Sequence, residues 1–240
     1  MTRSILKLEG VQTHIGHYHI LHGVDFEVPE HGTTMLLGRN GAGKTTCLRT
    51  IMSLWNQVEG KIEYDGKDIV GQSTFNVAID GIAYVPEDMG IFAMLTVKEN
   101  MVIAARNGEM DTERLEWIFN FFPALKKFWN SPAGKLSGGQ KQMLAVARAI
   151  IEPRKLLLVD EPSKGLAPAI IDNMRDAFIE LKKDQTMLLV EQNFNFAKAV
   201  GDTVAVMDNG VIVHTGTMQE LVENEELQKN LLGLSMDSHQ

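Results

Sequence analysis

This chain has almost no cysteine, and neither a long apolar run nor a secretion signal is visible in it. One cysteine, Cys47, stands among 240 residues, so no internal disulfide can form, which fits a reducing cytoplasm. No apolar stretch approaches the roughly 18 residues that cross a bilayer, so any membrane role must come from a partner. Residues 1–5 carry one basic residue and mixed polarity, so no signal peptide is visible and we expect the protein to stay inside the cell.

Positive charge is also scarce. The 23 Lys and Arg residues are outnumbered by 31 Asp and Glu, which gives a formal net charge of −8 at pH 7. Binding to a phosphate backbone needs a surplus of basic residues, so we expect no nucleic-acid partner. The 44% of hydrophobic residues can bury a sizeable core, which excludes wholesale disorder.

The spacing of apolar residues changes along the chain. Residues 6–28 alternate between apolar and polar, as half-buried antiparallel strands do, and predict a small β lobe. Residues 96–151 have a period of about 3.6 and predict a helical insert. From residue 156 onward short apolar runs alternate with helical segments, which predicts a mostly parallel, doubly wound α/β sheet.

A glycine-rich segment at residues 38–45 matches the phosphate-binding pattern G-x-x-x-x-G-K-(S or T) in full. It lies between an apolar strand and a helix, where the pattern requires it, and this context argues against an ordinary glycine turn. Glycines let backbone N–H groups curl around phosphate oxygens, Lys44 would reach the β and γ phosphates, and Thr45 could bind Mg²⁺. The predicted ATP-binding residues in this loop are Gly38, Arg39, Asn40, Gly41, Ala42, Gly43, Lys44, Thr45 and Thr46.

Two acids end the apolar run at residues 156–159. Ligands bind at the carboxyl ends of strands in open α/β sheets, so Asp160 would hold Mg²⁺. Glu161 would polarise the attacking water, a role worth roughly 10²–10⁴ in rate. A strand that ends in Asp-Glu can also be a mere exposed terminus. The upstream phosphate loop favours the catalytic interpretation.

A second helix start follows at residues 136–140. Ser137 precedes an apolar-periodic helix, so its hydroxyl and the free N–H groups form a second anion site. A simple Ser-capped helix is the alternative. The position of the segment between the phosphate loop and the acidic strand favours the anion site.

With these three motifs the sequence resembles the ATP-binding cassette (ABC) ATPases. The resemblance covers about residue 5 to residue 234. Within them it is most similar to the ATP-binding subunits of branched-chain amino acid importers, through residues 85–88, 90–92, 95–100, 165–168 and 190–193. The resemblance implies one P-loop NTPase cassette, 1–240, with a RecA-like core and an N-terminal antiparallel β lobe. The β lobe and core would span about 5–87 and 153–216, the inserted helical subdomain 88–152, and a helical tail 217–240.

The resemblance also implies a head-to-tail dimer with ATP and Mg²⁺ between the protomers. Catalysis would rest on Glu161, Lys44 and Gln192, the last at a γ-phosphate sensor position that is usually histidine. Glu87, in a loop that usually carries glutamine and couples to the permease, would join Thr45 and Asp160 around the metal. The opposite protomer would contribute Leu136, Ser137, Gly138, Gly139 and Gln140 to ATP binding.

The sequence leaves two candidates for the residue that contacts adenine. The position that usually carries a stacking aromatic falls at Ile15, and Tyr18 is near enough to substitute for it. Four histidines of the same region, His14, His17, His19 and His22, resemble a ligand cluster. No cysteine or acid completes it, and we expect surface histidines.

The leading hypothesis is the ATPase of an importer for branched-chain or related amino acids, peripheral on the inner, cytoplasmic face of the cell membrane. Its partners would be membrane permease subunits, a second cassette that is identical or paralogous, and indirectly a solute-binding protein. Alternatives are the motor of a lipid or polysaccharide exporter and a soluble cassette ATPase of DNA repair or translation. A small-molecule P-loop kinase would share the phosphate loop but not residues 136–140.

Overall fold

Two β-sheets frame the protein in the computed structural model, which describes residues 3–232. The strands are β1 Ser4–Ile15, β2 Tyr18–Pro29, β3 Thr33–Leu37, β4 Gln57–Tyr64, β5 Lys67–Asp68, β6 Ile82–Val85, β7 Leu156–Asp160, β8 Thr186–Val190, β9 Thr203–Asp208 and β10 Val211–Thr217. The helices are α1 Lys44–Ile51, α2 Thr74–Ile79, α3 Val97–Ala104, α4 Thr112–Phe121, α5 Pro123–Lys127, α6 Gly138–Ile150, α7 Pro168–Leu181, α8 Phe194–Val200, α9 Met218–Glu223 and α10 Glu225–Leu232, with a short 3-10 helix at Ala133–Lys135.

The sheet topology confirms the mixed α/β prediction. A four-stranded antiparallel sheet has the order β2-β1-β4-β5 and forms the N-terminal β lobe. A six-stranded sheet has the order β10-β9-β3-β8-β7-β6, in which β10 alone runs antiparallel to its neighbour. The carboxyl ends of β3 and β7 therefore meet at one edge, on either side of β8.

The core lies on both faces of the six-stranded sheet. Met35 and Leu189 face a cluster that contains the helices of the insert, while Leu36 and Leu188 face a cluster shared with the β lobe. Covered faces on both sides explain why these strands are continuous apolar runs. The insert helices α3 to α6 thus share one core with the sheet.

A buried asparagine holds the loop between β6 and α3. Thr96 caps α3 in a reciprocal pair with Glu99, and Asn100 lies one residue further on with no exposed surface. The Phe92 backbone N–H donates to Asn100 Oδ1 at 2.9 Å, and Asn100 Nδ2 donates to the Phe92 and Thr96 carbonyls at 3.0 and 2.9 Å. The Asn100 amide therefore fixes one end of the loop that carries Glu87.

Helix α1 begins at Lys44, directly after Gly43, which caps it with a left-handed φ of +108°. Helices α9 and α10 follow β10, and residues 233–240 of the expected helical tail lie outside the described residues. Among residues 3–232, no helix is both long and apolar enough to span a membrane.

We expect Asn100→Ala to lower the free energy of unfolding by about 1–3 kcal/mol, because it removes a fully buried amide and leaves the Phe92 backbone groups without partners. Chemical denaturation would measure the loss. Asn120→Ala, at an exposed position of α4, is the matched control and should change stability little. Equal effects of the two substitutions would contradict this role of Asn100.

Candidate functional site

The phosphate loop lies between β3 and α1, as the sequence predicts. Gly38 has a φ of +148°, and a Cβ atom there would lie 2.1 Å from the Met207 carbonyl oxygen. Only glycine fits such a close approach to backbone. Gly43 also has a left-handed φ, of +108°, and directs Lys44 back over the loop.

Lys44 is the buried cation of this loop, with 5% of its surface exposed. Its ammonium donates to the Gly38 carbonyl at 2.8 Å and to the Arg39 carbonyl at 3.0 Å. Burial lowers the pKa of Lys44. These carbonyls are neutral acceptors, so an anion that enters the loop gains a stronger partner in the same ammonium.

Thr45 and Asp160 meet although they lie 115 positions apart in the chain. The Thr45 hydroxyl donates to Asp160 Oδ1 at 3.1 Å, and the Tyr84 hydroxyl donates to Oδ2 at 3.5 Å. Asp160 has no exposed surface, and this burial raises its pKa to about 6. An uncompensated buried carboxylate of this kind, beside a hydroxyl oxygen, is a ready ligand for a hard divalent cation.

Glu161 lies next to Asp160, in a left-handed backbone conformation with a φ of +50°. Its N–H donates to the Val190 carbonyl at 2.9 Å, which ties it to the end of β8. The side chain is 8% exposed, and its Oε1 accepts a hydrogen bond from Gln192 Nε2. The structure thus places the two predicted catalytic side chains, Glu161 and Gln192, in direct contact.

Two charged residues that the sequence analysis did not assign complete these contacts. Lys164 places its ammonium 3.0 Å from Glu161 Oε2 and 2.6 Å from Glu87 Oε1. Glu191 has 2% of its surface exposed and accepts backbone N–H groups of Ser163, Gln192 and Asn193 at 2.8, 3.0 and 3.0 Å.

Glu191 therefore connects the segment after β7 to the segment after β8. Burial raises its pKa, although the three N–H donors oppose that shift. An acid directly after an apolar strand is the same signal that identifies Glu161. The sequence could have suggested Glu191 in this way.

A cavity of about 360 Å³ connects these groups. Predicted residues in its lining are Asn40, Gly41, Gly43, Lys44, Thr45, Thr46, Glu87 and Glu161, and the additional ones are Ile20 and Lys164. Neither residue proposed for the adenine contact lines it, and Tyr18 is 75% exposed at the turn between β1 and β2. The pairing of β1 with β2 is irregular between Thr13 and His14, so Ile20 of β2 has no partner residue in β1. Its side chain can therefore reach the cavity.

The start of α6 forms a second donor end, away from this cavity. The Ser137 hydroxyl accepts the Gln140 N–H at 3.3 Å, and the Ser137 N–H donates to Gln140 Oε1 at 2.9 Å. Ser137 and Gly138 are exposed, whereas Leu136 is buried and anchors the helix start in the core. The described lining of the phosphate-loop cavity includes none of residues 136–140.

The histidines of the β1–β2 hairpin stack on one another instead of converging. The rings of His14 and His19 lie 4.0 Å apart and nearly parallel, and His22 tilts against His19 at 4.1 Å. Within residues 3–232 no group of three or more His, Cys, Asp or Glu side chains could hold a metal ion alone.

The loop after β3, its buried lysine and the acids that end β7 define a P-loop nucleoside-triphosphate hydrolase. Residues 21–164 match the family described as ABC transporter. The chain belongs to this family, and it is one of the ATPases whose nucleotide hydrolysis drives transmembrane transport.

Relatives and solved structures cover almost the whole chain. A high-affinity branched-chain amino acid transport ATP-binding protein, BraG of Pseudomonas aeruginosa, is 37% identical over 95% of this chain and 100% of its own length. A probable branched-chain amino acid transport ATP-binding protein, LivF of Archaeoglobus fulgidus, is 35% identical over 90% of this chain and 93% of its own. A nucleotide-free ATP-binding cassette from an ABC transporter superposes with a TM-score of 0.79 at 28% identity, covering 97% of this chain and 96% of that one.

We expect Glu191→Gln to destabilise the protein by about 1–3 kcal/mol, because an amide nitrogen would replace an oxygen that faces N–H donors. Chemical denaturation would measure it, with Glu59→Gln at an exposed position of β4 as control. ATPase activity should fall as well, because the Gln192 backbone N–H loses the carboxylate oxygen of Glu191 that accepts its hydrogen bond. Wild-type stability in Glu191→Gln would show that these N–H groups do not depend on the carboxylate.

Proposed function

We propose that the chain is the ATP-binding and ATP-hydrolysing subunit of an importer for branched-chain or related amino acids. The observation that carries this proposal is the match to BraG and LivF along nearly the full length of all three chains. Relatives named for glutamate transport and for phosphate import are 32% identical over 87% and 93% of this chain. These names all state transport or import, and the two branched-chain amino acid relatives have the higher identities.

The residues of the cavity fit an ATP hydrolysis site that uses Mg²⁺. Thr45 and Asp160 offer hard oxygen ligands in contact with each other, and Mg²⁺ is commonly held by one or two carboxylates together with substrate phosphates. When bound, the ion would neutralise charge on the β and γ phosphates. Glu87 lines the same cavity and is the further oxygen donor that we propose for it.

Hydrolysis requires a base close to the terminal phosphate. Lys44 would leave the Gly38 and Arg39 carbonyls for phosphate oxygens, and a carboxylate oxygen of Glu161 would accept the proton of the attacking water. Gln192 holds Glu161 Oε1 and so fixes the direction of that carboxylate. Ile20 is the apolar cavity residue nearest in sequence to Ile15 and Tyr18, and we propose that this hairpin meets the adenine.

The position of α6 favours a dimer. Its exposed N-terminus at Ser137 and Gly138 lies outside the cavity of its own chain, which leaves it available to a triphosphate held by another chain. In a head-to-tail dimer each phosphate loop would face residues 136–140 of the opposite protomer. That protomer is either a second copy or a paralogous cassette.

A groove of about 390 Å³ suits a permease segment. It lies between the sheet and the insert, with Ala78, Tyr84, Met89, Ala104 and Ala149 among its lining residues. Arg148 and Arg154 also line it, and in the described part of the chain their buried Nε atoms have no hydrogen-bond partner. A largely apolar permease segment with acceptor groups would fill the groove.

The same loop serves both sites. Pro86, Met89 and Gly90 line the groove, and Glu87 lines the ATP cavity. A movement of this loop at one site would therefore also move residues at the other site. We propose that residues 88–152 act as the helical subdomain of this coupling. The subunit would be peripheral on the inner face of the membrane, with a solute-binding protein as an indirect partner.

We expect Lys44→Ala to weaken ATP binding about a hundredfold or more, because hydrogen bonds to charged groups are worth about 1.5–3 kcal/mol each. Glu161→Gln should keep ATP affinity and accumulate an ATP-bound dimer, because the base is lost and the triphosphate contacts remain. Titration calorimetry and size-exclusion chromatography with light scattering would measure the two effects. Wild-type turnover in Glu161→Gln would place the base elsewhere.

We expect Ala78→Arg to disrupt assembly with the permease, because it adds a third cation to a groove that already holds two unpaired guanidinium nitrogens. The measurement is native purification from membranes with identification of the co-purifying chains. The wild-type protein should bring down permease subunits and a solute-binding protein.

Asn76→Arg is the matched control for this substitution. It adds the same single positive charge at an exposed position of α2 and should leave the complex with the permease intact. The ATPase rate of the isolated subunit should be unchanged in both variants. A purely soluble complex around the wild-type chain would contradict the transport role.

A further inference from the structure

Acidic side chains outnumber basic ones around the ATP cavity. Glu87 and Glu161 line the cavity, and the buried Asp160 is in contact with Thr45 of its lining. Lys44 is bonded to backbone carbonyls and not to any of these acids. The only described cation within 4 Å of Glu87 or Glu161 is the ammonium of Lys164.

Lys164 bridges two segments that are distant in the chain. Glu87 follows β6 and Glu161 ends β7, and the ammonium lies 2.6 Å from one carboxylate and 3.0 Å from the other. The side chain is 54% exposed, so its stem can swing away without disturbing the core. The hydrogen bonds to Glu87 and Glu161 raise the pKa of Lys164, which keeps it a cation.

We propose that Lys164 is a resident counter-cation of the nucleotide-free site, which offsets one of the two negative charges of Glu87 and Glu161 and which a divalent cation must displace. Lys164 is then a positioning residue: it holds the Glu87 loop against Glu161 and acts on the reaction through them. This inference rests on the proposed Mg²⁺ site, because the displacing ion would take an oxygen of Glu87, one of the two acids that Lys164 contacts.

Competition for the same carboxylates has opposite effects on two ligands. A divalent ion alone must compete with the ammonium, so removal of the ammonium should strengthen its binding. Metal-free ATP carries only negative charge and must approach Glu87 and Glu161, so the same removal should weaken its binding. A lysine that simply contacted phosphate would weaken metal-free and metal-bound ATP alike.

The test uses the full chain and two probes. Mn²⁺ alone is titrated into nucleotide-free protein and followed by electron paramagnetic resonance, and ATP in excess EDTA is titrated by calorimetry. For Lys164→Met we expect Mn²⁺ affinity to rise and metal-free ATP affinity to fall, each about threefold to tenfold, the range for partly exposed ion pairs with one buried partner. Lys164→Arg keeps the charge and should keep wild-type values.

Two further variants separate charge from structure. Lys164→Met combined with Glu87→Gln restores the net charge of the cavity, so both affinities should return toward the wild-type values. Lys98→Met removes an exposed lysine of α3 and should change neither affinity. Melting curves of all variants would confirm that each one is folded.

The inference is overturned if Lys164→Met leaves Mn²⁺ affinity unchanged, or if the double variant binds metal-free ATP no better than the single one. The proposed function fails in a different way: wild-type protein would then not bind Mg²⁺ with ATP at all. The Mn²⁺ titration does not depend on transport or turnover, so the two failures are distinguishable.

Discussion

Buried charge at the carboxyl edge of the parallel sheet is the constraint on which the site depends. Lys44, Asp160, Glu161 and Glu191 are each at most 8% exposed. A charge in such surroundings costs several kcal/mol unless it is paired and hydrogen-bonded. The backbone around the cavity meets this demand: loop carbonyls hold the lysine, and N–H groups after β7 and β8 hold Glu191.

The partners of these charges differ in strength, and this difference gives the site its chemistry. Glu191 has three N–H donors and is a structural anchor. Asp160 has only hydroxyl donors, and they lie at longer distances, 3.1 and 3.5 Å. Lys44 has only neutral acceptors. The two groups with the weakest partners are therefore the ones prepared for a cation and an anion.

Much of this could be predicted from the sequence, because local patterns determine it. The phosphate loop, the acids after β7 and the cap of α6 each lie within a few consecutive residues, where turn geometry and helix dipoles act. The direct contact of Glu161 with Gln192 follows from the neighbouring positions of β7 and β8. The role of Lys164 could not be predicted, because its partner Glu87 comes from a loop whose path depends on Asn100 and the insert.

The adenine side shows a second limit of local reasoning. An irregular register between β1 and β2 turns Ile20 toward the cavity, while Tyr18 projects into solvent at the turn. Aligning a position with its family counterpart identifies Ile15, but a one-residue irregularity decides which side chain lines the cavity. Strand registers of this kind depend on packing against β10 and α1, which are distant in the sequence.

We propose that two distant donor ends, the phosphate loop and the start of α6, bind one triphosphate from opposite chains. A crystal or cryo-electron-microscopy structure with ATP in place would test this arrangement. We expect two chains, with Ser137 of one within hydrogen-bond distance of the terminal phosphate bound at Lys44 of the other. A nucleotide enclosed by a single chain, with Ser137 facing bulk solvent, would contradict it.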